Sequence, residues 1–182
     1  MSQDSILPNL IRYQITWFSG VLGVAHDRAD LGAFIGFLMI AMHFRTTDHP
    51  LREYKTVLST LVLGLLLETL LIRNGWVDYG DVAQLFGVPI WLWVLWAMFG
   101  STLNGCLRFF RTRPLWSCLF GVIGGPLAWL GGESLGALQL SSHDQSLWAL
   151  ALGWGVLLPI LTQIARGCSV TPSPLDRPGF KS

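Results

Sequence analysis

The sequence predicts an all-α fold, a polytopic bundle of six transmembrane helices with both termini in the cytoplasm. Three observations carry this. Of the 182 residues, 52% are hydrophobic and only 13% are charged, where a soluble domain carries about 25% charge. Mean hydropathy is +0.51, and the apolar residues fall into six long blocks. The cationic residues are also unevenly placed between those blocks. Together these features exclude a disordered chain, a nucleic-acid binder with a basic face and an ordinary soluble enzyme. The net charge of +1 points to no partner by itself.

The blocks run approximately over 10–25, 31–44, 54–72, 89–109, 115–132 and 147–165. A helix needs about 20 apolar residues to cross the hydrocarbon. The second block is short for this, so it borrows flanking residues or sits in a thinned bilayer. The first block ends in Gly23-Val24-Ala25, which resembles a signal-peptidase site. Cleavage there, the rival reading, would leave five spans. Pro89 and Pro114 are expected at the first positions of their helices, where a missing N–H costs nothing. Pro159 is expected to kink the sixth. Residues 1–166 form the membrane domain. Residues 167–182, with Pro172, Pro174 and Pro178, are expected to be a disordered cytoplasmic tail.

With the N-terminus inside, ten of the twelve Lys and Arg residues fall on the cytoplasmic side, leaving only Arg28 and Arg73 outside. Trp76, Trp91, Trp116 and Trp148 lie near span ends, as an interfacial belt would. His43 and His49 are placed inside, and His26 and His143 outside, all as surface or interfacial residues. Cys106, Cys118 and Cys168 show neither a disulfide framework nor zinc spacing. No metal or cofactor is expected.

Glu68 is the most informative residue. It lies about six residues from the outer end of the third block, or ~9 Å into the hydrocarbon. A carboxylate there is costly unless paired, protonated or hydrated. It is either a proton-titrating or ligand-binding group facing the bundle, or a protonated hydrogen-bonding link between helices. Gly124-Gly125-Pro126 lies at the same estimated depth. Pro126 lacks an N–H, so a kink or an unwound turn is expected. Free backbone groups beside an acid could build a site. The alternative is close helix packing through Gly121 and Gly125, and Gly32 and Gly36 invite the same reading.

The remaining candidates are polar. Arg73, Asp78 and Glu133 on the outer face could extend the site around Glu68. Asp78 and Asp81, with Asp27 and Asp30, could gather a cation, although turn and capping roles are favoured. Gly132-Glu133-Ser134-Leu135-Gly136 matches G-x-S-x-G, but in a helix end rather than the strand–turn–helix elbow that the motif needs. Arg108, Arg111 and Arg113 form a basic loop that sets topology and could bind anionic lipid headgroups.

Pro89-Ile90-Trp91-Leu92-Trp93-Val94-Leu95-Trp96-Ala97-Met98-Phe99, with Thr102-Leu103-Asn104 after it, resembles a small bacterial inner-membrane family. So does the run from Gly124-Gly125-Pro126-Leu127-Ala128-Trp129 through Leu135-Gly136-Ala137, and the stretch from Glu68 to Asp78 fits the same pattern. The family is domain of unknown function 2878, and the resemblance covers about Asn9 to Ala165. It implies a bacterial inner-membrane location and no particular activity. The leading functional expectation is a binding or transport-type module for a lipid or small amphiphile. Its site would lie in the outer half, around Glu68 and the Gly124–Pro126 break. The alternative is a non-catalytic subunit whose glycine faces dock a membrane protein partner. An intramembrane enzyme acting on lipid comes third, for want of a nucleophile or metal.

Overall fold

The computed structural model describes residues 6–169. Among these the chain forms six helices: α1 (Ile6–Ala25), α2 (Ala29–Thr46), α3 (Pro50–Arg73), α4 (Ile90–Thr102), α5 (Pro114–Ser134) and α6 (His143–Ser169). Four two-residue strands lie at one end of the bundle, henceforth the strand end. Here β1 (Val77–Asp78) pairs antiparallel with β4 (Gln139–Leu140), and β2 (Gln84–Leu85) pairs with β3 (Val88–Pro89). The β2–β3 hairpin turns at Phe86 and Gly87, with φ values of 52° and 80°. Two positive-φ residues in a two-residue loop match the twist of paired strands. The six-block reading did not anticipate these strands, which are too short to leave a periodic signal.

Helices α3, α5 and α6 are each long and apolar enough to cross a membrane. Helices α1 and α2 have 20 and 18 residues, but their apolar content is diluted by Arg12 and Gln14 in one and Asp30, His43 and Arg45 in the other. Helix α4 is apolar but only 13 residues long, against the 21 expected for residues 89–109. It spans ~20 Å. Pro89 immediately precedes it as the N-cap, whereas Pro114 opens α5 as expected.

The early end of α4 has a local cause. Hydroxyls of Ser101 and Thr102 bond back to the carbonyls of Met98 and Phe99, at 2.7 and 2.6 Å. The chain then turns through Asn104 and Gly105 into a 3-10 turn at Arg108–Thr112. Asn9 of α1 receives this end. Its amide donates to the Ser101 carbonyl and hydroxyl at 3.4 and 3.2 Å, and its oxygen accepts the Cys106 N–H at 3.1 Å. Irregular backbone is tolerated inside an apolar bundle only where protein satisfies it, and Asn9 does this.

Helix α4 sits at the centre, packed against α1, α2 and α3, while α1 packs on α2, α3 on α6 and α5 on α6. Its buried residues include Trp91, Leu92, Trp96, Met98 and Phe99. Trp91 is thus a core residue and not part of an interfacial belt, whereas Trp116 and Trp148 are exposed. The other five helices turn large apolar side chains outward, among them Phe18, Phe37, Val62, Ile123 and Val156. A continuous apolar perimeter of this kind calls for an apolar surround.

Glycine faces allow the close approach. A Cβ on Gly32 would overlap the Ser19 carbonyl of α1, and one on Gly121 would overlap the Trp154 carbonyl of α6. These faces are therefore occupied within the chain, as in the packing reading. Helix α5 continues unbroken through Pro126, so the unwound turn expected there does not form. Helix α6 likewise runs through Pro159. It extends to Ser169, so residues 167–169 are helical rather than part of a disordered tail. The remainder of the expected tail, 170–182, lies outside the described residues.

Replacing Asn9 with Ala should leave the Ser101 carbonyl and the Cys106 N–H unpaired, costing about 1–3 kcal/mol. Thermal unfolding in detergent measures this. Gly167→Ala, at a helical glycine with nothing within 4 Å of an added Cβ, should be neutral or slightly stabilising.

Candidate functional site

The site begins with a spacing on α3. Gly64 and Glu68 are one turn apart, share a face and are both buried. A Cβ at Gly64 would overlap the indole of Trp96, so the absent side chain is what lets Trp96 lie on α3. Trp96 Nε1 then donates to Glu68 Oε1 at 3.0 Å. The other oxygen, Oε2, accepts the Tyr79 hydroxyl at 2.6 Å. Tyr79 Oη in turn accepts Trp129 Nε1 from α5 at 2.9 Å. Because an indole can only donate, these directions make Glu68 the acceptor at the end of the chain. Glu68 is 0% exposed, and both oxygens have partners. This offsets the cost of burying a carboxyl group.

Tyr79 is delivered from the strand end. It follows β1 and precedes Gly80, whose φ is 67° and whose N–H bonds Asp78 Oδ1 at 2.8 Å. A third tryptophan completes the cluster. Trp154 of α6 stacks on Trp96 at 5.0 Å and 14°, and meets Trp129 at 5.8 Å and 63°. Gly125 admits it, since a Cβ there would strike its pyrrole edge.

Trp96, Trp129 and Trp154, with Phe99, form the inner wall of a cavity of about 220 Å³ between α1, α4, α5 and α6. Gly121, Gly124 and Gly125 contribute the α5 side. At the strand end lies a polar vestibule of about 670 Å³, bordered by Asp27, Asp78, Asp81, Glu133 and Tyr79. Between them is a gap of about 20 Å³. It shares Trp17 and Ala128 with the cavity, Leu138 with the vestibule, Tyr79 with the vestibule alone and Trp129 with the cavity alone. That volume is about enough for one water.

The structure therefore divides the expected site residues. Glu68 lies behind the tryptophan wall and borders none of the three spaces. Gly124 and Gly125 line the cavity, and Pro126 does not. Asp78 and Glu133 border the vestibule, where Glu133 accepts the Leu140 N–H at 2.8 Å and pairs with His143 at 3.2 Å. Arg73 is exposed at the end of α3 and borders none of these spaces. Two acids of the strand end serve local geometry: Asp78 closes its turn, and Asp30 pairs with Arg28 at 3.5 Å. Among the described residues, no group of three or more metal-ligating side chains is assembled. Ser134 Oγ donates to the Gly131 carbonyl, a helix-end contact.

The three arginines of the basic loop also separate. Arg113 lies over the Phe109 ring at 3.9 Å, and Arg108 is exposed. Arg111 is partly buried near Arg52 and Glu53, and burial followed by the Arg52 charge lowers its pKa. The reading of His43 as an interfacial residue is corrected. It is buried, with Nε2 3.2 Å from Glu53 Oε2, and Glu53 also accepts Arg52 at 3.3 Å.

Sequence reasoning missed Tyr79, Trp96, Trp129 and Trp154 as site residues, as well as the internal pairing of Glu53. A usable signal existed. Glu53, Thr56, Thr60, Gly64 and Glu68 recur every three or four positions on α3, and all are buried. In an apolar helix, the small and polar stripe marks the inner face.

Two substitutions test this geometry. Tyr79→Phe removes both the donor to Glu68 and the acceptor for Trp129, and should cost about 1–3 kcal/mol. A shift in tryptophan emission should accompany the loss. Gly64→Ala should lower the unfolding temperature, whereas Gly124→Ala should not, because its Cβ would meet only the Phe120 ring at an ordinary 3.6 Å.

No curated protein matches the chain. No solved structure matches it either. A family model described as protein of unknown function (DUF2878) matches residues 6–160. The chain, a helical membrane protein with a buried Glu68–Tyr79–tryptophan cluster, belongs to the DUF2878 family.

Proposed function

We propose that the protein binds a lipid or small amphiphile in the cavity between α1, α4, α5 and α6. It would act as a binding or transport-type module of the bacterial inner membrane. In this reading all six helices are embedded and both termini are cytoplasmic, with the strand end outside. The apolar perimeter supports this for α1 and α2, whose polar residues lower their overall hydropathy. The cationic asymmetry between the two ends supports the orientation.

The single observation that carries the binding reading is an aromatic cavity held open by a buried hydrogen-bond network. Trp96 and Trp129 are both wall residues and both tied to the Glu68–Tyr79 pair. Glu68 thereby positions the wall and does not itself touch the ligand. Protonation at Glu68 would be felt by the indole that hydrogen-bonds to it, which makes Glu68 the proton-linked group. The gap beneath the vestibule supplies a route between outer water and the cavity, constricted by Tyr79, Trp129 and Leu138.

Mass spectrometry of native-lipid particles tests this directly. Wild type should retain an enriched lipid or amphiphile that Gly124→Leu, which fills the cavity, loses. Glu68→Gln should weaken binding by roughly tenfold, or ~1.4 kcal/mol, and abolish its pH dependence. An identical lipid complement in wild type and Gly124→Leu would reject the reading. Orientation is checked by membrane-impermeant maleimide on single-cysteine variants. Asp81→Cys should label in intact cells, and native Cys168 only after permeabilisation.

A further inference from the structure

The strand end has two contrasting corners. Asp27, Asp78, Asp81 and Glu133 gather around the vestibule. The β2–β3 hairpin carries no charge. From Val82 to Leu107 the sequence holds no Asp, Glu, Lys, Arg or His, so the hairpin and α4 belong to one uncharged run. Yet Ala83, Gln84, Leu85, Phe86 and Gly87 are all exposed. In water, an exposed and uncharged strand edge is a site of aggregation, which soluble proteins blunt with charged side chains.

Phe86 is the extreme case. It is 86% exposed, and no large apolar side chain among the described residues is more so. It also occupies the left-handed region, at φ 52°, where a Cβ crowds the following carbonyl oxygen. Asn, Asp or Gly fills such a turn position with less strain and suits water better. An aromatic ring held there, fully outward, calls for an apolar surround.

Two contacts fix the direction of the tip. The Ile90 N–H donates to the Ala83 carbonyl at 3.0 Å, which closes the hairpin onto the start of α4. The Phe86 ring meets the Trp93 ring at 6.1 Å and 43°. Trp93 lies one helical turn after Ile90, ~4.5 Å further from the strand end. The tip therefore folds back along the flank of α4. Ile90 is exposed and Trp93 half-buried on that flank, so the tip joins the apolar perimeter of the bundle.

Length agrees with this placement. The 13 residues of α4 cover ~20 Å, short of the ~30 Å of hydrocarbon, and the hairpin adds uncharged chain at its strand end. The hairpin is a sheet of only two strands, so its outer edges keep unpaired backbone groups. Such groups are excluded from hydrocarbon, which sets the depth of the backbone at the headgroups.

We propose that the β2–β3 hairpin is a lipid-contacting wedge. Its backbone lies at the boundary between headgroups and acyl chains at the strand end, and Leu85 and Phe86 reach into the acyl chains. Phospholipid is the occupant of this surface. The inference is independent of any ligand in the cavity and takes from the reading above only that the bundle is embedded.

The test uses the full chain in nanodiscs of phosphatidylcholine and phosphatidylglycerol. Trifluoromethylphenylalanine replaces Phe86 in one sample. In a second it replaces Phe37, an exposed residue near the middle of α2. Fluorine NMR reads line broadening by lipids with a nitroxide high or low on the acyl chain, and by a water-soluble nickel chelate. At position 86 the high nitroxide should broaden the line, and the chelate should leave it sharp. Leu85→Asp should reverse that pattern by drawing the tip into water, whereas Gln139→Asp, in the other strand pair, should not. Position 37 should respond to the low nitroxide. If it does, broadening at position 86 by the chelate at least as strong as by lipid would overturn the wedge and leave embedding intact. Broadening at position 37 by the chelate instead would overturn embedding, and the wedge with it. Broadening at position 86 by neither agent would mean that a second copy or another protein covers the tip, and would overturn phospholipid as its occupant. An unchanged pattern in Leu85→Asp would overturn the part assigned to Leu85.

Discussion

The burial of one carboxyl group shapes the centre of this molecule. Glu68 sits on an apolar helix, fully withdrawn from the surface, and must be given donors. One comes from the central helix α4, through Trp96, and one from a loop at the strand end, through Tyr79. Those two residues then govern their neighbours. Tyr79 accepts the indole of Trp129 from α5, and Trp96 stacks on Trp154 from α6. Four elements of the bundle are thereby referred to a single side chain. The short strands β1 and β4 acquire a purpose in this arrangement, since they pin the segment that delivers Tyr79.

Close packing around large rings needs room, and glycine provides it. Gly64 makes space for Trp96, and Gly125 for Trp154. Gly121 lets the α5 and α6 backbones approach each other. The same logic explains why α5 stays helical through Pro126. Its neighbour α6 supports it along the Gly121–Gly125 face, and a proline within a membrane helix is tolerated where adjacent protein compensates. The tryptophans are so large that three of them meeting at one place do not fill the bundle completely. The remaining space is the cavity, which is uncharged because no Asp, Glu, Lys, Arg or His belongs to its wall.

A second polar cluster, His43–Glu53–Arg52, lies near the opposite end of the same α3 face. Between the two acids run Thr56, Thr60 and Gly64. Asn104 of the turn after α4 donates to Thr56 at 3.2 Å. The α3–α4 contact is thus specified by hydrogen bonds at both ends and close backbone approach in the middle. This stripe was legible in the sequence as a three-to-four-residue recurrence of small and polar residues. It is obscured when only apolar periodicity is followed, because in an apolar helix both faces are hydrophobic and hydropathy does not distinguish inside from outside. The same reason explains why His43 reads as interfacial and Trp91 as part of a belt, although both are core residues.

Composition and block length alone determined that this is a membrane protein of six helices and marked Glu68 as its anomalous residue. Those are local properties, set by the cost of exposing apolar side chains to water and of taking a carboxyl group out of it. Helix ends near Ala25, Arg73 and Ser134 were close to their expected positions for the same reason. Only the tertiary structure decided what Glu68 bonds, where α4 stops and which glycines border an open space. The partners in the cluster are 11, 28 and 50 residues apart in sequence. Asn9 meets the end of α4 across more than 90 residues. A hydrogen bond is satisfied by whichever group arrives at about 3 Å, and that depends on the packing of several helices at once. The cavity is more remote still from the sequence, being the volume left over when large rings and small residues have settled their contacts.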